Sequence, residues 1–446
     1  MVDYSMESTY RIKKRKYSIA LILYLFMLVF DLPLLPQITI MTPLSIVSLI
    51  YLMWNKRDTA YAIRYTQILK LIAMWVGLFA FIALCTAVRL LQTNQELLQI
   101  SNVAGFLLKN SCLLICTLFI VAFCRKMQYN TSDLLNIYII VGLIQASIVL
   151  LTAAFPQVRE LTLQILRSNT RSELVFRAIE DMSGVRGFGF SSNLFDLFGY
   201  ATSILITIAV ACGVFGKRIL VLAAIFMIPM PLLNARTGLV IAVLGVIIVF
   251  VQYFRSSDML LRKIGTGIVI GISGVALIFV ATFIMSQYPS TSEWVMDGIE
   301  ETKRLVFNQE KTGIYSYLLS SSFWFFPDNL LELIFGAGSI PLYLINRNTD
   351  VGYVISVWQY GLIGTIILYV SYFWLFYRAN KSSKSELESS LVFFFFVAFA
   401  AFSLKMDALG INQASLIYFP LCFKMIYDAN VGVFNNANSG NGGLTK

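Results

Sequence analysis

Long apolar runs alternate with short polar segments along most of the chain. The runs are about 17–23 residues long, and a helix of that length crosses roughly 30 Å of hydrocarbon at 1.5 Å per residue. They lack the alternation of barrel strands, and helices are the other way to satisfy the backbone in lipid. The pattern therefore predicts an all-α, polytopic transmembrane helical bundle. About twelve spans are expected, near 17–35, 38–54, 68–90, 103–124, 134–154, 194–215, 219–233, 237–254, 264–285, 353–377, 390–404 and 413–428.

Two longer segments interrupt this alternation, at about 155–193 and 286–352. Both fall on the outer side when the chain starts in the cytoplasm. Loops of this length are uncommon unless they are functional or disordered, and neither has the composition of disorder. Residues 1–434 are then expected to form a single integral membrane domain. The polar tail 435–446 is expected to be disordered and cytoplasmic.

Each long loop is expected to carry a short amphipathic helix. In the first, apolar residues recur at helical spacing over 174–182. In the second, Ser290 and Glu293 have the spacing of a capping box for a helix near 291–307. The aromatic run 323–326 is a candidate patch for the membrane interface.

Composition and charge agree with a lipid environment. Hydrophobic residues make up 58% of the chain and charged residues 13%, about half the charged fraction of a soluble domain. The net charge is +10, but Lys and Arg concentrate in short segments such as 11–16, 125–126 and 378–384. This positive-inside bias predicts cytoplasmic N- and C-termini, membrane lipids as contacts and no nucleic-acid partner. We expect the basic N-terminal segment to be a retained signal anchor.

The chain contains no histidine. Its absence excludes triads and acid–base steps that use imidazole, and most zinc sites. The outer segments contain no Asp-x-Asp spacing, and no phosphate-binding P-loop motif is present. The sequence therefore predicts no metal, no cofactor and no ATP hydrolysis.

Arginine without lysine marks the first long loop, which contains Arg159, Arg167, Arg171, Arg177 and Arg186. One interpretation is that they are solvated surface residues, because long loops are translocated regardless of charge. The other is that they bind phosphate, because the planar guanidinium group can bind two phosphate oxygens at once. Arg186 is the strongest candidate, since GFGFSSN follows it directly and glycine lets the backbone approach a ligand closely.

Arg236 is the second candidate. It lies in NARTG (234–238), a tight outer turn between two apolar spans. A charge at this depth either snorkels to the interface or serves function. Thr237 is a candidate cap for the following helix, whose N-terminus would then favour an anion.

A third element contains FGAG (335–338), Arg347, TDVGY (349–353) and YGLIG (360–364). Asp350 lies at the mouth of the bundle. It is either a general base toward a sugar hydroxyl or the cap of the helix that starts nearby, and the sequence leaves both open.

Several charges fall within or beside spans, where each can line a pathway, pair internally or snorkel. Asp196 lies three residues after Asn193, so we expect it to face the same cavity. The others are Asp31, Lys109, Lys405 and Asp407.

In these motifs the chain resembles the O-antigen polymerase and ligase superfamily. The resemblance rests on four features in order: RGFGFSSN before a span, NARTG opening a later span, FGAG in the last large outer loop, and TDVGYVISVWQYGLIG entering the next span. Together they cover about 186–365. The ordered set carries the resemblance, because each motif alone is weakly specific.

The resemblance implies a metal- and nucleotide-independent glycosyltransferase at the periplasmic face of a bacterial inner membrane. It would pass a glycan from undecaprenyl pyrophosphate to a hydroxyl of another lipid-linked oligosaccharide. Arg186 and Arg236 would neutralise the departing pyrophosphate, and Asp350 would assist the acceptor hydroxyl. The expected substrate-binding residues are Arg171, Arg177, Asn193, Asp196, Arg347 and Tyr353.

Two other functions stay open. In the ligases the acceptor is lipid A core and a histidine precedes the span where Asp350 stands, so a chain without histidine favours the polymerase. A flippase for the same lipid-linked sugars should have internal repeats and functional charge near the bilayer midplane. Here the candidate residues concentrate at the outer mouth. A chain-length regulator is a further candidate partner.

Overall fold

The computed structural model describes residues 19–35, 38–93, 98–167, 189–191, 196–234, 236–255, 321–338, 349–406, 408–409 and 412–440, with isolated positions between 265 and 345. In these residues the regular structure is helical, apart from a short antiparallel ribbon of β1 (Pro33–Leu35) and β2 (Ile38–Thr39). The predicted all-α class is therefore confirmed.

The helices are bounded as follows. In chain order they are α1 (Ile19–Phe30), α2 (Met41–Trp54), α3 (Lys56–Thr66), α4 (Ile68–Thr93), α5 (Leu98–Lys126), α6 (Thr131–Ala154), α7 (Pro156–Arg167), α8 (Asp196–Phe215), α9 (Leu220–Met227), α10 (Pro229–Asn234), α11 (Arg236–Arg255), α12 (Leu330–Phe335), α13 (Gly352–Ser382), α14 (Glu386–Phe402) and α15 (Ser415–Gly440).

Five of the described helices are long and apolar enough to cross a membrane. These segments are Leu108–Lys126 in α5, Thr131–Ala154, Asp196–Phe215, Thr237–Arg255 in α11 and Gly352–Ser382. Shorter apolar helices include α1, α2 and the pair α9 and α10. The fold thus indicates a membrane protein, while the predicted total of about twelve spans stays a prediction. The span expected near 264–285 falls almost wholly outside the described residues.

One end of the bundle gathers basic segments, and we call it the basic end. Arg125 of α5 pairs with Asp58 of α3 at 2.8 Å, and its guanidinium lies 3.7 Å from the centroid of the Tyr61 ring. Asp428 of α15 accepts hydrogen bonds from the backbone N–H and the hydroxyl of Thr131, where α6 begins. The placement of this end in the cytoplasm stays a prediction.

The opposite end, which we call the site end, is where α8, α11 and α13 begin and where α6 and α14 finish. α8 leads from it through the centre of the bundle, and residues 198–214 are all buried. α11 packs closely on α8, since a Cβ on Gly238 would lie 2.7 Å from the Cα of Gly199. Small residues at such a crossing let two helices approach. This contact fixes the start of α11 beside the start of α8.

α13 is interrupted at Gly361, whose φ of 69° and ψ of 175° are not helical. The break separates a short first helix, 352–360, from a second helix, 362–382, which is long enough to cross roughly 30 Å of hydrocarbon. The short helix therefore belongs to the site end.

The first long loop contains a helix that the sequence pattern did not indicate. α7 follows α6 directly, with Pro156 at the first helical position, which proline favours. The helix expected over 174–182 lies outside the described residues. In the second loop, positions 293, 296 and 300 are helical, and position 304 lies in a π-helical turn where Arg304 pairs with Glu300 at 3.3 Å. The other positions of the helix expected near 291–307 lie outside the described part.

The C-terminal tail differs from the expectation over half its length. α15 continues to Gly440, so residues 435–440 are helical although their composition indicated disorder. They extend an existing helix, and elongation costs less than nucleating a new one. Residues 441–446 lie outside the described part of the chain.

Candidate functional site

Asp196, the first residue of α8, connects three elements at the site end. Its Oδ1 accepts a hydrogen bond of 2.7 Å from the hydroxyl of Thr237 in α11. Its Oδ2 lies 3.5 Å from Nζ of Lys405, which follows α14. The hydroxyl of Thr237 is therefore directed at a carboxylate of another helix, not used simply as the expected local cap. Thr237, the residue after Arg236, is therefore hydrogen-bonded to the start of α8.

The start of α13 packs on the turn that contains Lys405, residues 403–406. The backbone N–H of Tyr353 donates to Ser403 O at 3.2 Å, and the Tyr353 hydroxyl donates to Ala400 O at 3.0 Å. A Cβ on Gly352 would lie 2.0 Å from Met406 O. Glycine is required here because the two backbones are in contact. TDVGY and the Asp196 cluster therefore share one turn.

Asp350 is exposed, two residues before α13 begins. The residue at the N-cap is Val351, and its N–H donates to the Thr349 hydroxyl at 3.1 Å. The same hydroxyl donates to Phe323 O at 2.9 Å. Thr349 thus supplies the side-chain contact at this helix start. The geometry disfavours the capping alternative for Asp350 and leaves its carboxylate facing outward.

FGAG is held against the break in α13 by backbone contacts. The N–H of Ala337 donates to Trp358 O at 2.6 Å, which provides a partner for a carbonyl near the break. A Cβ on Gly336 would lie 2.5 Å from the backbone N of Gly361. The indole N–H of Trp358 donates to Phe325 O at 3.1 Å. FGAG and the segment of α13 around Gly361 therefore pack together as one unit.

The aromatic run in the same loop divides between two environments. Phe323 and Phe325 pack against a small cluster that includes Val354. Trp324 and Phe326 are exposed. The two exposed rings are the part of this run that fits the expected interfacial patch, and that role stays a prediction.

Residues 189–191, in the middle of RGFGFSSN, lie inside the bundle. Gln145 of α6 donates from Nε2 to Phe190 O at 3.1 Å. Gln413 donates from Nε2 to the Ser191 hydroxyl and, at 3.2 Å, to Phe30 O. Ser191 and both glutamine side chains are buried. The Gln145 amide thus satisfies a backbone carbonyl of this non-helical segment, and the Gln413 amide joins the Ser191 side chain to the end of α1.

The structure brings together only part of the predicted site. Asp196, Tyr353 and the backbone start of α11 at Arg236 meet around the 403–406 turn, and Asp350 lies at its edge. The remaining predicted residues are outside the described part: Arg171, Arg177, Arg186, Asn193 and Arg347.

No protein-family model matches the chain, and no curated protein matches it.

Sequence reasoning assigned no role in the site to three residues at the site end: Lys405, Gln145 and Gln413. Lys405 stood out only as a charge beside a span, and nothing in the pattern pairs it with Asp196 more than two hundred positions earlier. A polar residue in an apolar run is the available signal for Gln145. Among the described residues, no group of three or more His, Cys, Asp or Glu is arranged to hold a metal ion. The arrangement offers carboxylates, an ammonium group and hydroxyls, which suit anion binding and proton transfer.

Proposed function

We propose that the protein polymerises undecaprenyl-pyrophosphate-linked oligosaccharide repeats at the periplasmic face of a bacterial inner membrane. One observation carries the proposal. Three helix starts meet at one end of the bundle: the one that follows RGFGFSSN, the one in NARTG and the one in TDVGY. They are joined through Asp196 and the 403–406 turn. FGAG is joined to the same unit at Gly361. Four motifs that are separate in sequence can therefore serve one site.

The proposed reaction uses the charges of this end. The acceptor hydroxyl attacks the anomeric carbon of the donor sugar, the bond from that carbon to the pyrophosphate oxygen breaks, and lipid pyrophosphate leaves with the electron pair. Asp350 takes the hydroxyl proton. Arg236 and Arg186 offset the developing charge, the kind of electrostatic stabilisation that dominates many enzymes. Confinement of donor and acceptor to one bilayer aids their encounter.

The distribution of polar groups supports a transferase over a flippase. A flippase of the usual design has functional charges near the midplane and discontinuous helices there. Here the described ion pair of Asp196 and Lys405, and the break at Gly361, belong to the site end. The exposed carboxylate of Asp350 lies at the same end, where an acceptor sugar can reach it.

Deletion of the gene in its host tests the proposal. We expect surface glycan to be capped with a single repeat, seen as one band where the parent strain gives a ladder. Complete loss of surface glycan would instead identify a flippase or a ligase. Complementation with the wild-type chain should restore the ladder.

Complementation with Arg236→Ala should leave the ladder short. Loss of one charge-assisted contact to pyrophosphate is expected to slow transfer about 10-fold to 100-fold. Arg255→Ala is the matched control, because Arg255 is exposed at the other end of the same helix. Membrane levels of both variants are compared by immunoblot. A ladder of full length with Arg236→Ala would refute the role of this residue.

Asp350→Asn separates the two interpretations of Asp350. A general base cannot be replaced by an amide, so we expect the ladder to be lost. Asn caps helices as well as Asp does, so a capping residue would tolerate the change. Asp328→Asn, an exposed carboxylate in the preceding loop, is the control and should leave the ladder intact. Retained polymerisation by Asp350→Asn would exclude the base.

A further inference from the structure

Lys405 is a lysine held in a largely buried position at the site end. Its side chain is 15% exposed, and it lies in the 403–406 turn that closes α14. Burial of an ammonium group is costly unless an anion compensates it. Its compensating group in the structure is the carboxylate of Asp196.

This ion pair leaves hydrogen-bonding capacity on the ammonium group of Lys405. The distance from Lys405 Nζ to Asp196 Oδ2 is 3.5 Å, whereas charge-assisted N–H···O bonds are about 2.7–2.9 Å long. The other oxygen of Asp196 is already bound to Thr237 at 2.7 Å. Within the described residues, Asp196 is the acidic side chain that lies within ion-pair distance of Lys405. An ammonium has three donors, so it can bind a further acceptor on its flexible stem.

Lys405 lies near two of the motif segments, NARTG and TDVGY. Thr237, which donates a hydrogen bond to Asp196, directly follows Arg236. The turn that carries Lys405 contacts Gly352 and Tyr353 through backbone atoms. The ammonium is therefore joined through Asp196 to the segment of Arg236, and the turn that carries it contacts the segment that contains Asp350.

We propose that Lys405 binds the diphosphate of the lipid-linked donor, and that Asp196 is a positioning residue that holds the ammonium group before the ligand arrives. The inference rests on the proposed function and changes the expected role of Asp196. A carboxylate placed directly against a diphosphate would repel it, whereas a carboxylate paired with Thr237 and Lys405 aligns the cation. The ligand class is a diphosphate anion, carried by a lipid or free.

Binding measured on the purified full chain in nanodiscs tests this. The probes are a short-chain polyprenyl diphosphate and inorganic pyrophosphate. We expect the lipid probe to bind more tightly, and Lys405→Met to weaken its binding about 10-fold or more, as for loss of a charged hydrogen bond. Lys405→Arg should stay within about threefold of the wild type because it keeps the charge. Lys109→Met, an exposed lysine in α5, is the control.

Asp196→Asn distinguishes binding from mere structure. Asn keeps a hydrogen bond to Thr237 but lacks the charge that holds the ammonium group, so we expect diphosphate binding to weaken less than in Lys405→Met. Without ligand the unfolding temperature of Asp196→Asn should fall, because Lys405 loses its carboxylate, and saturating diphosphate should restore it by taking the place of that carboxylate. A purely structural pair would give a fall in unfolding temperature that diphosphate does not restore.

The outcomes separate the two proposals. If the wild type binds the lipid probe and Lys405→Met binds it equally well, this inference fails and the proposed function stands. If the wild type binds inorganic pyrophosphate alone and Lys405→Met weakens that binding, the diphosphate site stands and the proposed function fails. If the wild type binds neither probe, both proposals fail.

Discussion

Gly361→Val is expected to destabilise the protein by about 4 kcal/mol, the sum of backbone strain and overpacking. The φ of 69° and ψ of 175° at Gly361 belong to a region that side chains with a Cβ rarely adopt. The added Cβ would also lie 2.2 Å from Ile334 O and 2.3 Å from the backbone N of Gly336. Neither backbone atom can rotate away as a side chain would. FGAG would therefore separate from the break in α13.

The measurement is the midpoint of thermal unfolding in detergent, together with glycan ladder length in cells. Gly77→Ala is the matched control, since a Cβ built there meets no atom of another helix within 4 Å and Ala favours the helix. An unchanged midpoint for Gly361→Val would mean that the two motifs are not in contact. A lower midpoint with full ladders would mean that their contact does not serve the reaction.

Asp428→Ala is expected to cost about 3–5 kcal/mol of stability, because it leaves a buried lysine without its carboxylate. Lys424 is 1% exposed and pairs with Asp428 one turn further along α15. The second oxygen of Asp428 accepts two hydrogen bonds from Thr131, and its backbone carbonyl accepts one from Lys384 at 2.6 Å. One residue thus holds α6, α15 and the segment before α14 together at the basic end.

A double variant tests the physical reason. Lys424→Met with Asp428→Leu removes both charges, and replacement of a buried pair by apolar residues is often neutral. We expect it to recover part of the stability lost in Asp428→Ala, measured by the same unfolding midpoint. The unpaired lysine is gone, whereas the two hydrogen bonds from Thr131 stay lost in both variants. Asp58→Ala is the control, because its pair with Arg125 is partly exposed and should contribute less than about 1 kcal/mol. Equal losses in the double and single variants would contradict the argument.

The two structural predictions concern opposite ends of the bundle, and their functional consequences should differ. Loss of the Gly361 contact acts where the four motifs meet, so it should shorten the glycan ladder. Loss of the Asp428 network acts at the basic end, so the surviving folded protein should still polymerise. Ladder length normalised to the folded amount separates the two effects.

The hydropathy pattern by itself determined the all-α class and the approximate place of the long helices, because apolar length and helical rise are local properties of the chain. The sequence also identified NARTG, FGAG and TDVGY as candidate site motifs. It gave Asp350 two roles with equal support; the Thr349 contact at the helix start disfavours capping, and the role as a base stays a prediction.

Tertiary structure alone decided the partners. Asp196 and Thr237 are separated by 41 residues, and Gln413 and Ser191 by 222. Neither periodicity nor composition carries information about such pairs, because helix packing in lipid depends on the shape and close approach of distant surfaces. The same reason explains α13: a glycine within an apolar run reads as part of a helix, and the break at Gly361 follows only from the backbone of FGAG lying against it.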